Sequence, residues 1–263
     1  MPRAIDVHIH PPAEPGRPEL IPESMARYFR MTEWVKMPEE MAERYQELDL
    51  FGNILATDAS ANMGQHPITN EYVASIVKRW PKTFSGFASV DPWKGKTALY
   101  EIERAVQELG LIGVKFHPNE QGFEANDVRF YPIWELIQRL GVPVMFHMGM
   151  AGTGAGTPGG RGIKLRYSRP ILVDDVAADF PELSIIMAHP QWPWQEEGIA
   201  VCLHKANVSM DISGWSPTYF EESLVNAIQN RFPDKVMFGS DYPVILPVRW
   251  MADWEKRGFK PEI

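Results

Sequence analysis

The residues with the most chemical potential in this chain are histidines set two apart or placed at the ends of apolar runs. The first stretch is Asp6-Val7-His8-Ile9-His10. Side chains on a strand alternate faces, so His8 and His10 point one way and Val7 and Ile9 the other. Two imidazoles on one polar face are half of a metal site; the competing reading is a strand with two incidental histidines. Three more histidines close short β-like runs: His117 in Gly113-Val114-Lys115-Phe116-His117, His147 in Met145-Phe146-His147, and His189 in Met187-Ala188-His189. Asp241 closes another, in Phe238-Gly239-Ser240-Asp241, whereas His66 and His204 lie outside such runs. Three histidines and one carboxylate make a ligand set for zinc or manganese that leaves a position for water. A bound divalent ion lowers the pKa of that water toward neutrality. A fourth histidine, ordinarily titrating at about 6.5, would serve as general acid and base. Residue types and spacing leave open which imidazole ligates and which carries protons.

The elements that must position these groups read as eight strands separated by helical stretches. The expected strands are Ala4–His10, Asn53–Thr57, Phe84–Val90, Ile112–His117, Pro143–His147, Ser184–His189, Asn207–Asp211 and Lys235–Asp241. Between them helical spacing recurs; in Val128–Leu140, Ile133, Leu136, Ile137 and Leu140 share a face. Pro38 followed by Glu39 and Glu40 marks a helix start, because proline lacks only an N–H that would be unpaired there. Eight alternations imply an α/β fold of one domain, a closed (β/α)8 barrel, with active groups at the C-terminal strand ends. An open doubly wound sheet is the rival, but no glycine-rich phosphate fingerprint follows the first strand. Two connections exceed simple links, Pro11–Met37 with Tyr28, Phe29 and Trp34, and Met148–Pro170 with seven glycines. Both would leave the barrel on its active face and read as lid insertions, at about 11–37 and 148–170.

A chain of 263 residues, 44% apolar and 23% charged, has ample length for one large core. The net charge of −8 argues against a general nucleic-acid binder but not against a local basic pocket for an anion. A single cysteine, Cys202, excludes an internal disulfide. No apolar run reaches the roughly 18 residues needed to span a bilayer. The first strand starts so early that no signal peptide is expected, and a cytoplasmic location follows as the default. The expected assembly is a homodimer, with no nucleic acid or membrane partner.

The ordered set His8-x-His10, His147, His189 and Ser240-Asp241-Tyr242-Pro243 resembles the amidohydrolase superfamily, in the branch containing aminocarboxymuconate-semialdehyde decarboxylase. The resemblance covers nearly the whole chain. It implies that His8, His10, His147 and Asp241 hold one divalent metal, zinc first and manganese second. It also implies that His189 is the unligated acid/base, with Asp241 serving catalysis as well as the metal. Phe87-Ala88-Ser89-Val90-Asp91-Pro92, Tyr167-Ser168-Arg169-Pro170 and Asp211-Ile212-Ser213-Gly214-Trp215-Ser216-Pro217 resemble a subgroup labelled 4-hydroxyphenyl-β-ketoacyl-CoA hydrolase. The family usually continues past its eighth strand to a final helix with an Asn-Ala pair. This sequence ends at Ile263 without one, so that helix is expected to be missing. A lysine on the fourth strand carries a bridging carbamate in other branches, which makes a two-metal site the alternative for Lys115.

The resemblance implies a metal-activated water acting on a small anionic or aromatic acyl substrate, in the subgroup's version a β-ketoacyl-CoA. Two alternatives are non-oxidative decarboxylation of an aromatic or muconate-type acid and a catalytically dead barrel acting as a binding subunit. Lys115 and His117 are candidate substrate contacts; otherwise Lys115 pairs with an acid and His117 bonds beneath a loop. The glycine-rich stretch carries Arg161, Lys164, Arg166 and Arg169, and Arg166 and Arg169 are the candidates to grip phosphate, CoA or carboxylate. The competing reading is a solvated loop with ordinary surface charge. Trp192 and Trp215, with Trp194 nearby, would wall an aromatic substrate or else pack between helices.

Overall fold

The computed structural model describes residues 1–16, 23–31 and 37–260. Eight parallel strands pair in sequence order: β1 (Ala4–Ile9), β2 (Leu50–Leu55), β3 (Phe84–Ser89), β4 (Val114–Phe116), β5 (Val144–His147), β6 (Ile185–Ala188), β7 (Val208–Asp211) and β8 (Val236–Met237). Helices such as Pro38–Glu47, Asn70–Arg79, Lys96–Gln107 and Tyr131–Leu140 return the chain between them. This is the (β/α)8 barrel that the alternation implies.

Strand parity builds the two layers of the core. Phe116 of β4 and Phe146 of β5 face outward and each meets the Trp134 ring of helix Tyr131–Leu140, with centroids 5.0 Å apart and rings nearly perpendicular. Edge-to-face pairs of this kind add about 0.5–1.5 kcal/mol beyond the area they bury. The intervening positions face inward, where Leu55, Phe87, Met145 and Ala188 form a small separate cluster inside the barrel. Helix Pro38–Glu47 begins with Pro38 in its first turn and Glu39 and Glu40 behind it, as the sequence suggests.

Three strands depart from expectation, β4 by starting two residues late and ending one early. β2 starts three residues early and ends two early, because Gly52 and Asn53 lie inside it. Gly52 interrupts the apolar pattern for a packing reason: a Cβ there would stand 2.5 Å from Ile9 Cδ1 and 3.1 Å from the Tyr45 ring. β8 covers only Val236–Met237, and further on Asp241, with φ of 62°, lies outside the extended region. The barrel instead closes through single hydrogen bonds: Val7 N to Phe238 O (3.0 Å), Asp241 N to His8 O (2.9 Å) and His10 N to Tyr242 O (2.7 Å).

A helix, Pro247–Arg257, follows β8 and lays Trp250 against Phe238. Beside it remains a cavity of about 200 Å³ lined by Val236, Phe238, Trp250 and Trp254 among others. Of the first long connection, residues 17–22 and 32–36, including Trp34, lie outside the described residues. Its remainder includes helix Glu23–Tyr28. Met148–Pro170 forms two short 3-10 turns, Pro158–Gly162 and Leu165–Ser168. Among the described residues no helix is long and apolar enough to cross a membrane.

Gly113 leads into β4 and has no room for a methyl group, since a Cβ would stand 2.5 Å from two atoms of the buried Phe87 ring. Gly113→Ala is expected to destabilise the barrel by about 1–3 kcal/mol, read from the midpoint of urea unfolding. An unchanged midpoint would mean that the Phe87 ring yields without cost.

Candidate metal centre

The two histidines of the first strand reach the same carboxylate. His8 Nε2 lies 3.4 Å and His10 Nε2 3.2 Å from Asp241 Oδ1. The other nitrogen of His8 fixes the proton's place: Nδ1 lies 3.0 Å from Asp211 Oδ2. A carboxylate accepts, so His8 Nδ1 carries the hydrogen and Nε2 presents its lone pair toward Asp241. Burial, then the nearby Lys115 charge, pulls the His8 pKa down to about 3, so the ring is neutral. His8, His10 and Asp241 thus form a group whose ligand atoms lie within 4.8 Å of one another. A bare imidazole nitrogen and a carboxylate oxygen that face each other without a proton suit a cation between them.

Asp211 is the hub behind this group. Its Oδ2 holds His8, and its Oδ1 accepts from His189 N (3.3 Å) and Ser213 N (2.9 Å). Burial would raise its carboxyl, but the polar His8 ring with its hydrogen bond, the His189 ring and the Lys115 charge hold it well below the usual range. Burial likewise opposes ionisation of Asp241, and the hydrogen bond from His10 together with His8 and His189 outweighs it.

His147 and His189 form a second chain of fixed protons. His189 Nδ1 lies 3.1 Å from the Ser213 carbonyl, which only accepts, and 2.9 Å from Ser213 Oγ, which can do either; a hydrogen on Nδ1 serves both, whereas a bare Nδ1 would face the carbonyl's lone pair. His189 Nε2 is then bare and accepts from His147 Nδ1 at 2.9 Å. That leaves His147 Nε2 bare, buried and without a hydrogen-bond partner among the described residues. The neutral state of both rings agrees with burial, which lowers both pKa values, His147 well below the ordinary value. The residues present therefore fit a metal: neutral imidazoles with bare nitrogens, a depressed carboxylate, and an acid behind one ring that sets its tautomer.

Lys115 on β4 is buried, and its Nζ has no hydrogen-bond partner among the described residues. Burial pulls its pKa down to about 8 against the pull of Asp211 and Asp241, so the ammonium persists at pH 7. His117, just past β4, stacks on His147 with centroids 3.9 Å apart and planes 12° apart. Burial takes His117 down to about 4. Gln121 holds its backbone: the His117 N–H donates to Gln121 Oε1 at 2.8 Å, while Gln121 Nε2 donates to the carbonyls of Asp58 and Val90.

Trp192 and Trp215, after β6 and β7, sit together with ring centroids 6.1 Å apart. Arg166 and Arg169 are occupied elsewhere. Arg166 stacks on Tyr167 and lies 3.7 Å from Glu124; Arg169 pairs with Glu197 and lies over the Trp194 ring. The glycine-rich loop also meets the first long connection, since the Phe29 ring fills the space a Cβ on Gly152 would take, at 2.3 Å.

Asp211, Ser213, Asp6 and Ser240 escaped assignment from sequence. Asp211 carried a usable signal, a charged residue closing an expected strand, as the histidines do. Close approach explains two glycines: a Cβ on Gly214 would stand 2.8 Å from His189 Nδ1, and one on Gly239 3.0 Å from His8 Cβ. His189 and Asp241 are themselves non-glycine residues at φ of 70° and 62°, the kind of backbone strain that collects at functional sites.

A family model described as Amidohydrolase matches residues 5–262. The 2-amino-3-carboxymuconate-6-semialdehyde decarboxylase of Dictyostelium discoideum is 32% identical over 78 residues, 30% of this chain and 22% of that protein. A 2-keto-4-carboxy-3-hexenedioate hydratase of Sphingobium sp. is 31% identical over 134 residues, 46% of this chain and 38% of its own. The chain thus spans well under half the length of these curated relatives. Among solved structures, a dihydroxybenzoic acid decarboxylase from Polaromonas sp., with bound manganese and the inhibitor 2-nitroresorcinol, superposes with a TM-score of 0.67. It is 18% identical and the match covers 100% of this chain and 93% of that one, a likeness of fold.

The proton placement is open to direct measurement. In metal-free, nitrogen-15-labelled protein at pH 8, His8, His147 and His189 are expected as neutral rings with the hydrogen on Nδ1. An imidazolium pattern, or hydrogen on Nε2, would refute the lone-pair arrangement.

Proposed function

The chain belongs to the amidohydrolase family and is an enzyme of that superfamily, and from this we propose that it is a metal-dependent, non-oxidative decarboxylase of an aromatic or muconate-type acid. His8, His10, His147 and Asp241 would hold one divalent ion, zinc or manganese. When bound, the ion would act as a Lewis acid that orients the substrate's oxygens. The observation that carries the reading is Lys115, a buried ammonium with no hydrogen-bond partner among the described residues beside the candidate ligands. Asp211 and Asp241 stand against Lys115, and a divalent cation would shift this cluster by two positive charges, toward the sign that draws in a carboxylate.

Each remaining group has a task in the reaction. Lys115 attracts the substrate's carboxylate, His117 lines the pocket next to His147, and Trp192 with Trp215 offers aromatic faces to the ring. The bond from carbon to carboxyl breaks, carbon dioxide leaves, and the electron pair left on carbon takes a proton. Ser213 holds His189 at Nδ1, so Nε2, bare in the free protein, is the atom that would take up a proton from solvent and pass it to that carbon. The curated Dictyostelium discoideum decarboxylase that part of this chain resembles supports this chemistry. The β-ketoacyl-CoA hydrolase reading now stands second, because the arginines that would grip CoA already face Glu124 and Glu197. The hydratase match favours one further reading, addition of water to an unsaturated acid.

One panel separates these readings. Dihydroxybenzoates and carboxymuconate-type acids are expected to lose carbon dioxide, and β-ketoacyl-CoA thioesters are expected to yield no acetyl-CoA. Acetyl-CoA release without carbon dioxide, or hydration alone, would reverse the order. In the same assays His189→Gln should lose about 10²–10⁴-fold in kcat while keeping its metal. His8→Ala and Asp241→Ala should lose metal and activity together. Two metals per chain with a carbamylated Lys115 would refute the single-ion site.

A further inference from the structure

We infer that Asp6 is a positioning residue of the metal centre, acting through Ser240 to hold Asp241 against His8 across the seam where the barrel closes. The inference rests on reading His8 and Asp241 as ligands. That seam is sparse: β8 is two residues long, and β1 meets the chain after it through single hydrogen bonds. Asp241 sits there in a left-handed conformation that a non-glycine residue keeps only when its surroundings over-determine it.

The over-determination is visible bond by bond. The Asp241 N–H donates to His8 O at 2.9 Å. Tyr242 N donates to Ser240 Oγ at 3.1 Å, bridging over Asp241. Ser240 in turn is gripped twice by Asp6: Ser240 N donates to Oδ1 at 2.9 Å, and Ser240 Oγ to Oδ2 at 2.5 Å. The same carboxylate accepts from the His8 amide at 3.4 Å and from Tyr45 Oη, on helix Pro38–Glu47, at 2.9 Å. Asp6 is wholly buried. Buried carboxylates are costly unless donors surround them, and an apolar side chain could fill a barrel wall without that cost. What an apolar residue could not do is bond at once to the backbone of one ligand and to the residue preceding the other.

The test separates positioning from mere support of the fold. Full-length protein is stripped with a chelator, and zinc(II) is added back against a chromophoric competitor, with Tm measured in parallel. Ser240→Ala and Asp6→Ala are expected to weaken zinc binding about 10–100-fold, the scale seen when groups that orient metal ligands are removed. Asp6→Asn, which keeps a carbonyl for Ser240 N, should fall between Asp6→Ala and the parent. Tyr45→Phe removes a donor from the same carboxylate, and the hydroxyl's contact with Ser240, while leaving both Asp6–Ser240 bonds in place, so it should lower Tm yet bind zinc as the parent does. If Ser240→Ala and Asp6→Asn bind zinc like the parent and only Tm moves, Asp6 is a structural acid and the inference is overturned. A parent protein that takes up neither zinc nor manganese overturns the metal reading along with it, whereas unchanged affinity in the variants overturns this inference alone.

Discussion

A bare imidazole nitrogen and a carboxylate oxygen face each other across 3.4 Å in the wall of this barrel, and much of the molecule exists to keep them so. A lone pair set against an anion with no proton between them repels, and the pair would part if nothing resisted. The resistance comes from every side. Asp211 takes the hydrogen of the other His8 nitrogen, which forbids the ring from relaxing by turning its N–H toward Asp241. His10 adds a second nitrogen to the same oxygen. Lys115 offsets one of the two buried carboxylates, and glycines at 214 and 239 let the loop after β7 and the end of the barrel close in.

The (β/α)8 topology makes this concentration possible. Outward-facing Phe116 and Phe146 anchor their strands to the helical shell through Trp134. The neighbouring inward positions are thereby free to carry Lys115 and, one layer higher, His147. Six strand ends thus deliver polar groups to one spot while most of their backs are held by ordinary packing. The seam between β8 and β1 is the exception: a bent backbone replaces the ladder, and the grip of Asp6 on Ser240 stands in for missing strand pairing.

Above the site the two long connections lean on each other, with Phe29 seated against Gly152. The cations of the glycine-rich stretch look, in one dimension, like a receptor for a large anion. In three dimensions Glu124 and Glu197 meet two of them, so the positive charge that matters lies deeper, on β4.

The fold and most of the candidate site were legible in the sequence, for a physical reason. Strand periodicity assigns faces locally, so His8-x-His10 and the histidines closing β4, β5 and β6 announce their direction without any knowledge of the partners. The misplaced bounds of β2 and β8 mark where local rules fail. Gly52 is a strand residue because Tyr45 and Ile9 crowd it, and Asp241 leaves the strand because Ser240 and His8 hold it bent. Both causes are distant in the chain. Roles that depend on two residues meeting could only emerge in the folded molecule. Asp211 lies 203 positions from the His8 it orients, and Asp6 is 234 from the Ser240 it grips. The same holds for the neutralised arginines, because charge is written in the sequence but its compensation is a matter of who stands beside it.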